Sequence, residues 1–358
     1  MRRIAIKIGS NVLTRKDGTL DITRMSALVD QVAEARQAGV EIVLVSSGAV
    51  AAGRGELRPM RRLDSVSARQ LYSAVGQAKL INRYYELFRE RGIACGQVLT
   101  TKESLRTRSH YLNQKHCMEV MLENGVLPIV NENDTISVTE LMFTDNDELS
   151  GMVATMMGMD TLIILSNIDG IYDGDPSDPS SCVIREIEPG KADLSCYIQA
   201  GQRSSFGRGG MLTKCRIARK VAEEGITVII ANGKREAILT NLLADRPDTP
   251  RTRFLPADRA ASGRKKWIAH SEGFAKGAVR VNLGAARVLA GDGATSLLPV
   301  GVTAVEGDFE KDDIIRVLSE EGEPLGVGQA AYGSEEARSL IGKRDQRPLI
   351  HYDYLYID

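Results

Sequence analysis

Two lysines in this chain stand beside glycines at places where a backbone can hold phosphate. Lys7-x-Gly9-Ser10 ends a short apolar run, Ile4–Ile8. A lysine at the end of a buried strand is costly unless it meets an anion. Gly9 lets a backbone N–H approach closely, and a helix or turn start there adds donors. Gly207-Arg208-Gly209-Gly210-Met211-Leu212-Thr213-Lys214 is the second such element. It opens a helix with Lys214 one turn in, and glycine-rich backbone at a helix N-terminus cradles anions. Ser47-Gly48-Ala49 starts a further helix whose N–H groups suit a carboxylate or a phosphate. Residues 131–151 carry the opposite character: Asn131-Glu132-Asn133-Asp134, then Asp145-Asn146-Asp147. Carboxylates there suit an ammonium, and asparagines suit a carboxylate or amide. Asp145 or Asn146 also fits a simple helix cap. Lysines for phosphate, a helix start for an anion and an acidic loop for a cation fit phosphoryl transfer to an amino acid.

The familiar phosphate and nucleophile signatures do not explain these residues. The chain lacks G-x-x-x-x-G-K-[ST], lacks G-x-G-x-x-G after its first strand, and lacks G-x-S-x-G. Gly326-x-Gly328-x-x-Ala331 lies among β-like segments without a βαβ context. The five cysteines form no Cys-x-x-Cys pair and the four histidines have no ligand spacing. We expect no structural zinc from this pattern. Net charge is −1, so bulk charge points to neither nucleic acid nor membrane. No apolar stretch nears the roughly 18 residues of a bilayer span, which predicts a cytoplasmic, non-membrane protein.

Positioning those residues requires strands that end where the polar clusters begin. Ile4–Ile8, Ile42–Val45, Val126–Val130, Leu162–Leu165 and Thr227–Ala231 read as buried strands, each running into polar residues or glycine. Helical stretches alternate with them: Ile22–Gln37, Ser67–Arg91, Tyr111–Glu123, Asp147–Met157 and Met211–Glu224. Such alternation predicts an α/β fold, an open and mainly parallel sheet sandwiched by helices, with its ligands at the carboxyl ends of the strands. Prolines and basic residues between Asp245 and Lys266 read as an exposed connector. Beyond it the texture turns β-like: Ala278–Val281, Ser296–Leu298, Ile314–Val317, Pro324–Val327 and Leu349–His351. One helix is expected at Ser334–Ile341, with Ser334 as its N-cap. The expected domains are 1–256, a linker at 257–267, and a small, mainly-β domain at 268–358.

These motifs, taken in order, resemble those of the glutamate 5-kinases, within the amino acid kinase family. The elements are Lys7-x-Gly9-Ser10, Ser46–Gly53, Asn131–Asp134, Asp145–Asp147 and Gly209-Gly210-Met211-x-Thr213-Lys214. The tail, with Ala294-x-Ser296-Leu297-Leu298-Pro299-x-Gly301 and Gly326-x-Gly328, resembles the PUA domain appended to many bacterial members. The resemblance implies ATP and L-glutamate as substrates, glutamyl 5-phosphate as product, and the first step of proline synthesis. It further implies Mg²⁺, feedback inhibition by proline, a homo-oligomer with a tetramer favoured, and product hand-over to glutamyl-phosphate reductase. Ser47, Asp134 and Asn146 would contact glutamate. Lys7 and Lys214 would hold phosphates, with Asp147 organising them. Gly9, Ser10, Ser166-Asn167 and Arg208-Gly209-Gly210-Met211-Leu212-Thr213-Lys214 would line the nucleotide. Two elements depart from the residues many relatives have: Ser166-Asn167 stands where many have Thr-Asp, and Arg208 where many have Thr. Two alternatives remain at this stage. One is another family member, acting on aspartate, carbamate, UMP or an isoprenoid phosphate. The other is an RNA-binding protein with the β domain as its active module, which steep salt dependence would reveal.

Overall fold

The computed structural model describes residues 2–105, 108–137, 146–189, 211–257, 268, 275–291 and 295–357. The chain divides into two compact units, 1–260 and 261–358. Among the described residues, the first unit holds an eight-stranded sheet. Its strands are β1 (Arg3–Ile8), β2 (Glu41–Ser46), β3 (Cys95–Thr100), β4 (Leu127–Glu132), β5 (Thr161–Ser166), β6 (Glu186–Ile187), β7 (Thr227–Asn232) and β8 (Thr252–Phe254). They lie in the order β3-β4-β2-β1-β5-β7-β8-β6. β1 pairs in parallel with β2 on one side and β5 on the other, and β8 runs antiparallel to β7.

The helices are α1 (Ser10–Leu13), α2 (Ile22–Gln37), α3 (Ala49–Arg54), α4 (Ser65–Arg89), α5 (Arg108–Glu123), α6 (Asn146–Met157), α7 (Met211–Glu223) and α8 (Ile238–Leu243). Local chemistry sets several of their ends. The Asp21 carboxylate accepts from the Arg24 amide and starts α2. Asp64 accepts from the Val66 and Ser67 amides and starts α4. Gly39 follows α2 at φ +83°, a left-handed exit that glycine adopts without strain.

Side-chain alternation along β1 decides which residues reach the site. Ile4, Ile6 and Ile8 join one core with Leu28 and Val32 of α2 and Tyr84 and Phe88 of α4. Ala5 and Lys7 therefore point to the other face, where α6 packs. Both faces of β1 are covered, which is why it reads as a nearly unbroken apolar run.

The second unit folds around β9 (Gly277–Val281), β10 (Val302–Gly307), β11 (Ile314–Leu318), β12 (Pro324–Gln329) and β13 (Leu355–Ile357), in the order β10-β9-β11-β12-β13. Two short helices, α9 (Leu283–Leu289) and α10 (Ser334–Leu340), accompany the sheet. Val279, Ile315, Val317 and Ile350 fill its core.

Three sequence expectations change. Residues 245–257, read as connector, include β8, because Thr252 and Phe254 are buried and hydrogen-bond beside β7. Ser334 does not cap α10; Gly333 occupies that position, and the Ser334 amide donates to the Phe309 carbonyl. The segments Ser296–Leu298 and Leu349–His351 contribute a single antiparallel bridge, Leu297 to Ile350, rather than strands. No described helix is long and apolar enough to cross a membrane.

Candidate active site

The carboxyl ends of β1, β2, β4 and β5 open into one cavity of about 650 Å³. Its lining includes Asp147, in the first turn of α6 and fully buried. Lys7 Nζ approaches one of its carboxylate oxygens at 2.5 Å and Lys214 Nζ approaches the other at 2.8 Å. Burial alone would raise the Asp147 carboxyl. The charges of Lys7 and Lys214 outweigh that and hold it below the usual carboxylate range. The three groups sum to one positive charge, with both ammonium groups at fixed positions lining the cavity. Lys7 comes from β1 and Lys214 from the first turn of α7, 207 positions later, so only the fold unites them.

The adjoining wall is built from amides. Asn146 donates through its side-chain nitrogen to the Ser46 carbonyl (3.0 Å), Ser47 Oγ (2.8 Å) and Asn131 Oδ1 (3.0 Å). Asn146 thus ties the ends of β2 and β4 to the start of α6. Gly48 follows at φ +103° and precedes α3, a backbone angle that strains any other residue. Behind this turn, Ser46 Oγ meets the Tyr84 hydroxyl at 2.9 Å, and burial pushes that hydroxyl up to about 12.

The acidic wall has a partner that sequence reading missed. Arg69 of α4 donates from Nε to Asp134 Oδ1 at 2.9 Å, and its Nη2 pairs with the same oxygen. The same Nη2 lies 3.4 Å from Glu132 Oε2. Ser137 Oγ donates to the other Glu132 oxygen. Gln70 donates to the Thr135 carbonyl and Gln77 to the Glu132 carbonyl, so α4 braces this turn at three points. An arginine inside a long amphipathic helix has no local mark of such a role.

On the opposite side, Gly9 packs against β5, and its amide donates to the Leu165 carbonyl at 3.0 Å. Donors at that helix start therefore begin with Ser10, which lines the cavity with Ser166 and Asn167. Asp169 accepts two bonds from Arg235 (2.7 and 2.6 Å) and one from Asn232 (3.0 Å), joining the loops after β5 and β7. Those bonds, with Arg235 first, hold the Asp169 carboxyl below its usual range. Met211 and Thr213 are half-buried in the first turn of α7, and Leu212 belongs to the same turn. Arg208, Gly209 and Gly210 lie outside the described residues. So does Asp145.

Comparison with known proteins shows the family. Residues 2–232 match the Amino acid kinase family, and residues 277–351 match the PUA domain. A glutamate 5-kinase of Bacteroides thetaiotaomicron is 68% identical over 356 residues, covering 99% of this chain and 98% of that protein. A glutamate 5-kinase of Chlorobaculum tepidum is 48% identical over 357 residues, covering 99% and 97%. Among solved structures, a carbamate kinase from Giardia lamblia bound to AMP-PNP shares the fold at a TM-score of 0.50 and 17% identity, covering 72% of this chain and 99% of that one. The full-length match to glutamate 5-kinases favours the kinase reading over one in which the kinase-like domain is only a scaffold for an RNA-binding β domain. The chain belongs to the amino acid kinase family, among the glutamate 5-kinases that carry a C-terminal PUA domain.

Proposed function

We propose that this protein transfers the γ-phosphoryl group of ATP to the side-chain carboxylate of L-glutamate, the first step of proline synthesis. The observation that carries this reading is the Lys7–Asp147–Lys214 bridge, set in a cavity whose other wall bears Asp134, Asn131 and Asn146. The acceptor carboxylate, with a reference pKa of about 4.3, is already ionised at neutral pH. It needs no general base. One of its oxygens forms the new bond to phosphorus as the bond from that phosphorus to the bridging oxygen of ADP breaks. The barrier is repulsion between the carboxylate and the phosphates. Lys7 and Lys214 lower it by placing two ammonium groups where negative charge develops. Asp147 keeps them in place and apart, so no reorganisation is needed at the moment of transfer. Ser47, Asn146 and Asp134 orient the amino acid, with Asp134 receiving its ammonium. Gly9, Ser10, Ser166, Asn167 and residues 211–214 bound the nucleotide side, and Arg208, Gly209 and Gly210 are assigned to the nucleotide by their sequence motif.

Among the described residues no group of three or more His, Cys, Asp or Glu side chains forms a metal cage. Asp147 is already shared by two lysines. Mg²⁺ therefore fits as a companion of the ATP phosphates, completed largely by phosphate and water oxygens, and it would supply further charge neutralisation there. The remaining parts of this reading are a kinase domain at 1–256, a linker at 257–267 and a PUA-like domain at 268–358. They also include cytoplasmic location, a homo-oligomer with a tetramer favoured, inhibition by proline, and hand-over to glutamyl-phosphate reductase.

The direct test is ADP release from ATP and Mg²⁺ with L-glutamate, against L-aspartate, with and without proline. Glutamate-dependent release damped by proline is expected, and equal release with aspartate would refute the substrate assignment. Lys214→Ala should lower kcat by about 10²–10³-fold through loss of a transition-state charge contact, with circular dichroism unchanged. Near-normal turnover in that variant would remove the role given to Lys214.

A further inference from the structure

Glutamate presents more than its reacting carboxylate. Its head is a zwitterion, with an ammonium and a carboxylate on one carbon. The cavity holds the mirror of that pair: Asp134 next to Arg69, both lining it, with Glu132 beside them. Asp134 is 7% exposed and Glu132 3%, so neither charge is bathed in water. The three side chains sum to one negative charge. A single carboxylate would have sufficed to balance an ammonium, yet the same wall also carries the half-buried guanidinium of Arg69. Among the described residues, the other cations on the cavity wall are engaged elsewhere. Lys7 and Lys214 face Asp147, and the Arg54 guanidinium lies over the Tyr72 ring at 5.5 Å. Both donors from Arg69 to Asp134 fall on Oδ1, which leaves Oδ2 outside the pair. A planar guanidinium is also the side chain best shaped to take a carboxylate.

We propose that Arg69 reads the α-carboxylate of the substrate, next to Asp134, so that the pair recognises an amino-acid head as a unit. The assignment rests on the reading of Asp134 as the ammonium contact. It makes Arg69 a specificity residue: it separates L-glutamate from acceptors that keep the reacting carboxylate but lack the α-carboxylate. The zwitterion brings one positive and one negative charge together, so its entry creates no net buried charge.

The test compares kcat/KM for three acceptors in the full-length protein. L-Glutamate carries both head groups, 4-aminobutanoate lacks the α-carboxylate, and glutarate lacks the ammonium. Arg69→Met should cut the preference for L-glutamate over 4-aminobutanoate by about 100-fold, mostly through KM for the acceptor. KM for ATP should stay within about twofold. Arg69→Lys, which keeps the charge and loses the fork, should recover about tenfold of that loss. Asp134→Asn should instead collapse the preference over glutarate. If Arg69→Met weakens L-glutamate and 4-aminobutanoate equally, Arg69 only braces Asp134 and the proposal is overturned. Unchanged L-glutamate kinetics in Arg69→Met overturn it as well. If Asp134→Asn leaves discrimination against glutarate intact, the ammonium reading fails, and the 4-aminobutanoate ratio alone decides Arg69.

Discussion

Asp147→Asn is expected to cost about three orders of magnitude in kcat, with KM for L-glutamate changed far less. The amide matches the carboxylate in size, so the substitution removes charge and little else. What it leaves is two ammonium groups converging on a fully buried, neutral side chain. Breaking a buried ion pair from one side costs about 3–5 kcal/mol, because the surviving charge has no compensation. Here two charges survive, so one lysine must swing out or release its proton. Either response removes a cation from the phosphoryl group. Steady-state kinetics and thermal melts of the same preparation check this. A variant that retains turnover within about tenfold would show that each lysine is positioned independently. The pH dependence has a definite sign. The Asp147 carboxyl is held below 3.8 in the folded chain, so its stabilisation is present above that pH and lost as pH falls through the lowered value. The gap in Tm between the wild type and Asp147→Asn should therefore narrow only below pH 3.8.

Gly76→Val is expected to cost about 3 kcal/mol or more, a drop of roughly 10 °C in Tm. A Cβ at Gly76 of α4 would overlap the Ala49 carbonyl oxygen of α3, and one at Gly53 of α3 would overlap the Tyr72 carbonyl of α4. The two helices cross backbone to backbone through this pair of glycines. Neither neighbour can yield, because both obstructing atoms are main chain. α3 would have to move, carrying the Ser47-Gly48 turn, while α4 carries Arg69, Gln70 and Gln77. Any folded fraction should therefore show a raised KM for L-glutamate with KM for ATP less affected. Differential scanning fluorimetry and acceptor kinetics read both effects. A wild-type Tm in Gly76→Val would mean the crossing is far looser than its geometry.

Much of this protein is written locally. Parallel strands buried on both faces must be apolar almost throughout, so β1, β2, β4, β5 and β7 stand out as runs, and their polar endings mark the ligand side. Lys7, Lys214 and Asp147 are conspicuous because charge at the end of a buried strand or at the start of a buried helix needs a reason. Their motif order also carries the family. Weak elements were not legible for the same physical reason. β3 is half-exposed at Cys95–Gln97, and β8 is three residues long amid prolines and arginines. Their pairing comes from neighbours distant in sequence.

The sequence by itself determined which residues are chemically able to hold phosphate, ammonium and carboxylate, and that strand ends would gather them. Only the tertiary structure decided who meets whom. It set Asp147 between lysines from β1 and α7. It turned Asn146 from a cap into a tie across two strands. It brought Arg69 to Asp134 across 65 positions, and it made Gly76 a contact surface rather than a weak point in a helix. Residue type is a local property that a sequence displays directly. The interaction energy of two charges, or of two backbones, depends on a separation that exists only once the chain has folded.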